Sequence, residues 1–238
     1  MQFFSQDGQD EFLVRAFKNK RNGFFLDIGA FDGKYYSNTY LLEKEFGWRG
    51  ICIEPNPLVF EKLKTNRNCI TLNCCISENI GNLKFLSVGG YGEMLSGLTE
   101  FFDEKHLQRI DAIIKEYGGS KQLIEVPSFP ASSILEDELI TQIDYCNIDV
   151  EGGEMNVLQS IDFTKVKIKM FTIENNYGTK EVQHFLKPKG YTLIYRLGVD
   201  DVYEYHSTRY NLMLIWRFKK IKNTLSLLNK NIKRRIFK

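Results

Sequence analysis

FFLDIGAFDGKYYSNTYLLEKEFGWRGICIEPNP, residues 24 to 57, is the stretch that decides the fold. FFLDIG (24–29) and GICIEP (50–55) are short apolar runs of the kind that form buried strands. Between them Gly29 and Gly33 mark a tight turn, and residues 38–46 have helical spacing that opens on Asn38, a residue suited to starting a helix. Strand, glycine turn, helix and second strand therefore follow in order.

The same alternation extends outward. Further buried-strand runs are CITLNCCIS (69–77), DYCNIDV (144–150), KIKMFTIE (167–174), YTLIYRL (191–197) and YNLMLIW (210–216). Helical spacing recurs over 57–65, 153–160 and 179–187. Strands alternating with helices predict an α/β, Rossmann-like architecture: a mostly parallel seven-stranded sheet with helices on both faces. Ligands of such sheets sit beyond the carboxyl ends of the strands, near the switch in strand order. The alternation breaks between about 82 and 130, which reads as an insertion over the active-site edge. We therefore expect one domain over 1–215 carrying this insertion, and a separate tail over 216–238.

Charge separates the tail further. The chain has 32 Lys+Arg against 30 Asp+Glu. Nine of the basic residues (Arg217, Lys219, Lys220, Lys222, Lys230, Lys233, Arg234, Arg235 and Lys238) lie in the tail with no acid among them, so the body is net acidic. An acidic body excludes a protein built to lie along nucleic acid, which needs basic groups across its main surface. Tail residues Phe218, Ile221, Leu225, Leu228, Ile232 and Ile236 recur at three- and four-residue steps. That stripe suits a helix resting peripherally on the inner face of a membrane, or contact with a protein or a second copy in a homo-oligomer. The five cysteines lie mostly in apolar runs without metal-ligand spacing, as reduced core thiols of a cytoplasmic protein do.

The chemistry concentrates at strand ends. Gly29 and Gly33 let a ligand approach the first turn closely, but GxGxxG spacing is absent, and Asp27 and Asp32 would repel a pyrophosphate while suiting a cationic ligand. Glu54, about twenty residues beyond the turn, is placed to accept both hydrogen bonds of a ribose diol. A nucleoside with a cationic group describes S-adenosylmethionine better than NAD. Ser77 stands where a base edge would be met. Asp149 and Glu151 flank one residue at the next strand end, where they orient a metal or a substrate hydroxyl or cap the helix near Gly153. Glu174 and Asn175 end the neighbouring strand, and with Asp149 they make an oxygen-rich set compatible with Mg²⁺.

SQDGQDEF (5–12), the block 24–57, CCIS (74–77) and IDYCNIDVEGGEMNVLQSIDF (143–163) together resemble the FkbM-type family of S-adenosylmethionine-dependent methyltransferases. The resemblance implies a class I methyltransferase fold and a cofactor pocket lined by Asp27, Gly29, Asp32, Gly33, Ser37, Asn38, Glu54 and Ser77, with Gln6 closing over it. It also implies methyl transfer to a sugar hydroxyl, on a small-molecule or glycan acceptor of surface-polysaccharide assembly. O-methylation needs a group to take the hydroxyl proton. Asp149 is the favoured base, with Glu151 and His206 as further catalytic candidates; His106, in the insertion, is like His206 a surface residue able to swing over the cleft, and His184 reads as a surface or packing residue. The competing readings are an NAD-dependent oxidoreductase of nucleotide sugars and a non-catalytic methyltransferase-like scaffold.

Overall fold

The computed structural model describes residues 1–206. Its elements in chain order are α1 (Gln9–Ala16), β1 (Phe24–Ile28), α2 (Tyr40–Phe46), β2 (Arg49–Ile53), α3 (Pro57–Asn66), β3 (Ile70–Leu72), β4 (Cys75–Ile76), β5 (Gly81–Gly90), β6 (Gly97–Leu98), α4 (Glu104–Tyr117), β7 (Gly119–Phe129), α5 (Ala131–Asp137), β8 (Gln142–Ile148), α6 (Glu154–Gln159), β9 (Lys167–Glu174), α7 (Glu181–Leu186), β10 (Tyr191–Leu197) and β11 (Asp200–Tyr205).

Seven strands form one sheet in the order β10-β11-β9-β8-β1-β2-β3. β1 pairs in parallel with both β2 and β8, so the strand order reverses at its carboxyl end. Side-chain alternation sorts the strands onto two faces. Leu26 and Ile28 of β1 join Ile148, Ile173 and residues of α5, α6 and α7 in one core. Phe25 turns the opposite way, packing with Tyr145, Met170 and residues of α1, α2 and Leu63 of α3. This period-2 division is what a sheet covered by helices on both faces requires.

Among the described residues the seventh strand of the sheet is β11, a segment that the sequence pattern does not mark as a strand. β11 inserts between β9 and β10, antiparallel to both, and makes the sheet mixed. The acids that hid this segment have partners: Asp200 accepts from Gln9 Nε2 at 2.8 Å, and Asp201 accepts from Asn175 Nδ2 at 2.7 Å. Val202 and Tyr203 are buried. The run 210–216 and the basic tail lie outside the described residues. The run 69–77 also divides, because Asn73 Nδ2 donates to the carbonyls of Glu54 and Pro55 (2.8 and 3.1 Å) and turns the chain out of the sheet after β3.

Beyond that bend lies a second sheet, β4-β7-β5-β6. β5 and β7 pair antiparallel from Gly81↔Ser128 to Gly90↔Gly119, and α4 packs Ile110, Ile113 and Ile114 against Val88 and Leu95. Residues 82–130 therefore form a β-arm with a helix, standing beside the carboxyl edge of the main sheet. Cys52, Cys74, Cys75 and Cys146 are buried thiols, and Cys69 is half-buried. No helix of the described residues is long and apolar enough to cross a membrane.

Candidate active site

Beyond the ends of β1, β8 and β9 lies a cleft of about 960 Å³, continuous with a smaller cavity of about 90 Å³ through Gly29, Phe31, Glu93, Met94, Asp149 and Glu151. The floor is a buried polar network. Asp27 accepts from Thr39 Oγ1 and from Asn147 Nδ2 (2.5 and 3.0 Å), and Asn147 Oδ1 accepts from Asn38 Nδ2 and Thr172 Oγ1 (2.8 and 2.7 Å). Burial raises the Asp27 carboxyl, while the Arg67 guanidinium opposes that rise.

The glycine turn is sterically fixed. Gly29 has φ +81°, and a Cβ there would stand 1.7 Å from the carbonyl oxygen of Asp149. Gly33 has φ +75°, and its Cβ would meet Leu63 at 2.5 Å and Arg67 at 2.7 Å. Asp32 Oδ1 accepts from the amides of Lys34 and Tyr35, both at 2.8 Å, which closes the turn as short polar side chains do. Buried Arg67 ties the turn to α2: it donates to Gly33 O (3.2 Å), Thr39 Oγ1 (3.0 Å) and Ser37 Oγ (3.4 Å), and pairs with Glu43 at 2.6 Å.

Glu54, buried at the end of β2, lines the smaller cavity and accepts from the amides of Phe31 (3.0 Å) and Asn56 (2.8 Å). Burial pushes its carboxyl up to about 7 despite those two donors. The cavity walls beside it are apolar, from Ile28, Ile53, Cys74, Ile76, Phe85 and Leu98.

Across the cleft three acids converge. Asp149, Glu151 and Glu174 each offer a carboxylate oxygen, and these oxygens lie within 4.8 Å of one another. Poor solvation raises all three, reaching about 7 for Glu151 and about 8 for Glu174. Asp149 opens onto the cleft, yet its carboxyl is held well above the usual range, first by desolvation and then by the Glu174 and Glu151 charges. Neither Asp149 nor Glu151 caps α6. α6 has no side-chain cap; Glu154 in its first turn reaches back instead, accepting from the amides of Val150 (3.3 Å) and Gly152 (3.0 Å) in the preceding turn.

An open glycine-floored cleft of this form, with a buried acid at the end of β2, accompanies a family match: the Methyltransferase FkbM domain matches residues 27–207. The chain belongs to the FkbM methyltransferase family. No curated protein sequence matches it. Among solved structures this FkbM methyltransferase is similar to precorrin-6y C5,15-methyltransferase from Geobacter metallireducens GS-15 (12% identity, 77% of this chain and 70% of that one, TM-score 0.42). It is also similar to human methyltransferase 10 domain containing protein (13% identity, 84% and 82%, TM-score 0.43) and to the delta-N METTL16 MTase domain (13% identity, 83% and 82%, TM-score 0.41).

Of the residues singled out in the FkbM chain's sequence, Gln6, Asp27, Gly29, Asp32, Ser37, Asn38, Asp149, Glu151 and Glu174 line the larger cleft, and Glu54 lines the smaller cavity. Gly33 stands behind the turn against Leu63 and Arg67. Three residues sit elsewhere. Ser77 donates to Asn79 O at 2.9 Å and is not among the lining residues; Cys74, Cys75 and Ile76 line the cavity instead. Asn175 is consumed by its own turn, bonding Thr179 N and O (both 2.9 Å) and Asp201, so Glu151 takes its place beside Asp149 and Glu174. His206 bonds Thr192 at 3.1 Å and its amide donates to Gly190 O at 2.9 Å, at the amino edge of β10. β11 carries the chain ~20 Å away from the cleft before reaching it, at roughly 3.3 Å per residue.

The histidine near the acids is His106. Its Nε2 lies 3.0 Å from Leu95 O and its Nδ1 lies 3.7 Å from Glu151 Oε2. The insertion also explains Gly152 and Gly153: a Cβ at either would meet Phe101, at 3.3 and 3.1 Å.

Proposed function

We propose that the chain transfers a methyl group from S-adenosylmethionine to a hydroxyl of a sugar, on a nucleotide-activated sugar or a glycan of surface-polysaccharide (capsule or lipopolysaccharide) biosynthesis. The methyltransferase family supports the donor. The convergence of Asp149, Glu151 and Glu174, with Glu151 and Glu174 raised toward neutrality, supports a hydroxyl acceptor, because a proton acceptor works best when its pKa lies near the working pH.

The chain's own residues fit the donor. The Oδ1 atom of Asn38, buried on the cleft floor, has no partner within the protein and suits an ammonium group. Gly29 lines the cleft with backbone alone, which lets a ligand approach the turn closely. Glu54 is placed to receive ribose hydroxyls, and the apolar walls beside it suit an adenine ring. S-adenosylmethionine held there would supply an electrophilic methyl group for an acceptor oxygen. Asp149 accepts the hydroxyl proton, with Glu151 and Glu174 beside it. The same three carboxylates would hold a divalent cation such as Mg²⁺, which would polarise the hydroxyl.

The test is a mass-spectrometric screen of nucleotide sugars for a methyl-sized gain, run with and without chelator. Tight binding of S-adenosylhomocysteine excludes the oxidoreductase, and methyl transfer to any acceptor excludes the scaffold. Unchanged turnover with chelator removes the metal.

Glu54 adds a pH dependence. Its carboxyl rises from an ordinary 4.5 to about 7 in the fold, so between those two values the folded chain holds a proton the unfolded chain has lost. That contribution to stability is full below pH 4.5 and disappears as pH rises through 7. Ribose recognition has the opposite sign, since an ionised carboxylate is the stronger acceptor. Calorimetric affinity for S-adenosylhomocysteine is expected to rise about 10-fold per pH unit below the Glu54 transition at about 7 and to level off above it. Glu54→Gln is expected to bind weakly at every pH; an unchanged pH profile in that variant would remove Glu54 from ribose binding.

A further inference from the structure

One wall of the larger cleft differs from the rest. Among the described residues eight acids line this cleft (Asp7, Asp27, Asp32, Glu93, Asp149, Glu151, Glu174 and Asp200), against two cations, Lys62 and Arg109. Lys62 is committed to Glu93 at 2.6 Å. Arg109 forms no ion pair among the described residues, although it faces the Glu151 charge closely enough to lower that carboxyl. Tyr91 lines the same cleft, 73% exposed, and its ring stacks on Tyr117 with centroids 4.5 Å and planes 28° apart.

Both groups are held in place. Arg109 and Ile113, four residues apart on one face of α4, line the cleft together. At the start of α4, Asp103 accepts from the His106 amide (2.7 Å) and from Tyr177 Oη (2.7 Å), and the His106 ring reaches Leu95 O. At its end Tyr117 supports one face of Tyr91 and leaves the other open. A stiff, exposed aromatic face takes the planar or CH-rich face of a ring at low entropic cost. A guanidinium lining the same cleft offers a planar fork of donors matched to phosphate.

We infer that Tyr91 and Arg109 form an acceptor subsite for a ring flanked by a phosphate group. The inference rests on the methyl-transfer reading above and adds to it an orientation. Of the two cations among the described lining residues Lys62 is paired with Glu93, so the acceptor enters with its phosphate toward Arg109 on the α4 wall and a hydroxyl directed at Asp149. Two sources supply this chemistry, a nucleoside diphosphate carrier or a phosphorylated sugar.

The experiment is calorimetry on the full chain, first with S-adenosylhomocysteine and then, on the saturated protein, with UDP, glucose 1-phosphate, uridine and glucose. At least one phosphate-bearing probe is expected to bind, 10-fold or more tighter than its phosphate-free counterpart. UDP as the tighter probe identifies the nucleotide carrier, and glucose 1-phosphate the sugar phosphate. Tyr91→Ala and Arg109→Gln are each expected to weaken that probe 10-fold or more without changing S-adenosylhomocysteine affinity, which also reports that both variants fold. Binding of neither phosphate probe, equal binding of uridine or glucose, or unchanged affinity in both variants overturns the subsite. Failure of S-adenosylhomocysteine itself to bind overturns the methyl-transfer reading instead.

Discussion

Asp149→Asn is expected to lower methyl transfer about 10²- to 10⁴-fold, the range that a positioned proton acceptor contributes, while S-adenosylhomocysteine affinity changes less than about 3-fold. The side chain is isosteric, so the packing around it is kept. Its backbone contacts persist as well, because the Asp149 amide donates to Ile28 O at 3.0 Å and neither atom belongs to the carboxyl. What is lost is a carboxylate on the cleft and one of three like charges. Glu174 stays raised in the variant, because desolvation and the charges of Glu151, Glu154 and Asp200 hold its carboxyl up. Recovery of turnover at high Mg²⁺ would recast Asp149 as a metal ligand. Full activity without added metal would remove it from the mechanism.

Which parts of the molecule were legible in the sequence follows from where the constraint lies. The glycine turn, Asp27 and Glu54 were readable because a strand end followed by a tight turn leaves few residue types open to the chain. Asn147 left a signal, a polar residue inside the apolar run DYCNIDV, and the structure shows it bridging Asp27, Asn38 and Thr172. Asn175 and Glu151 exchanged places because sequence spacing does not say which way a turn residue faces. Glu151 sits at φ +57° and turns back to the cleft, whereas Asn175 closes its own loop. β11 was missed because Asp200, Asp201 and Glu204 break the apolar pattern of a strand that is interior to the sheet. The approach of Arg67, His106 and Arg109 to the site depends on contacts between distant segments, which no local periodicity encodes.

Gly29→Ala is expected to be the most damaging substitution at the site, removing S-adenosylhomocysteine binding and lowering the melting temperature. The conformation alone makes a small contribution: an L-residue in the left-handed region costs ~1–2 kcal/mol. Steric overlap costs more, because the new methyl group would lie 1.7 Å from the Asp149 carbonyl oxygen. That oxygen is backbone, so no rotamer change relieves the overlap, and the ends of β1 and β8 must separate. Their separation disturbs the hydrogen bond from the Asp149 amide to Ile28 O and the seat of the proposed catalytic carboxylate together. A total of ~3–5 kcal/mol is expected, within the class of effects tied to special backbone geometry and core overlap, and for a chain of this size it corresponds to roughly 6–20 °C. Gly8→Ala separates conformation from overlap. Gly8 has nearly the same φ, +83°, but a Cβ there meets nothing within 4 Å, so its cost is the conformational one alone. Equal melting shifts for the two variants would show that the β1–β8 contact yields without cost, and would remove the steric account of why the turn holds glycine.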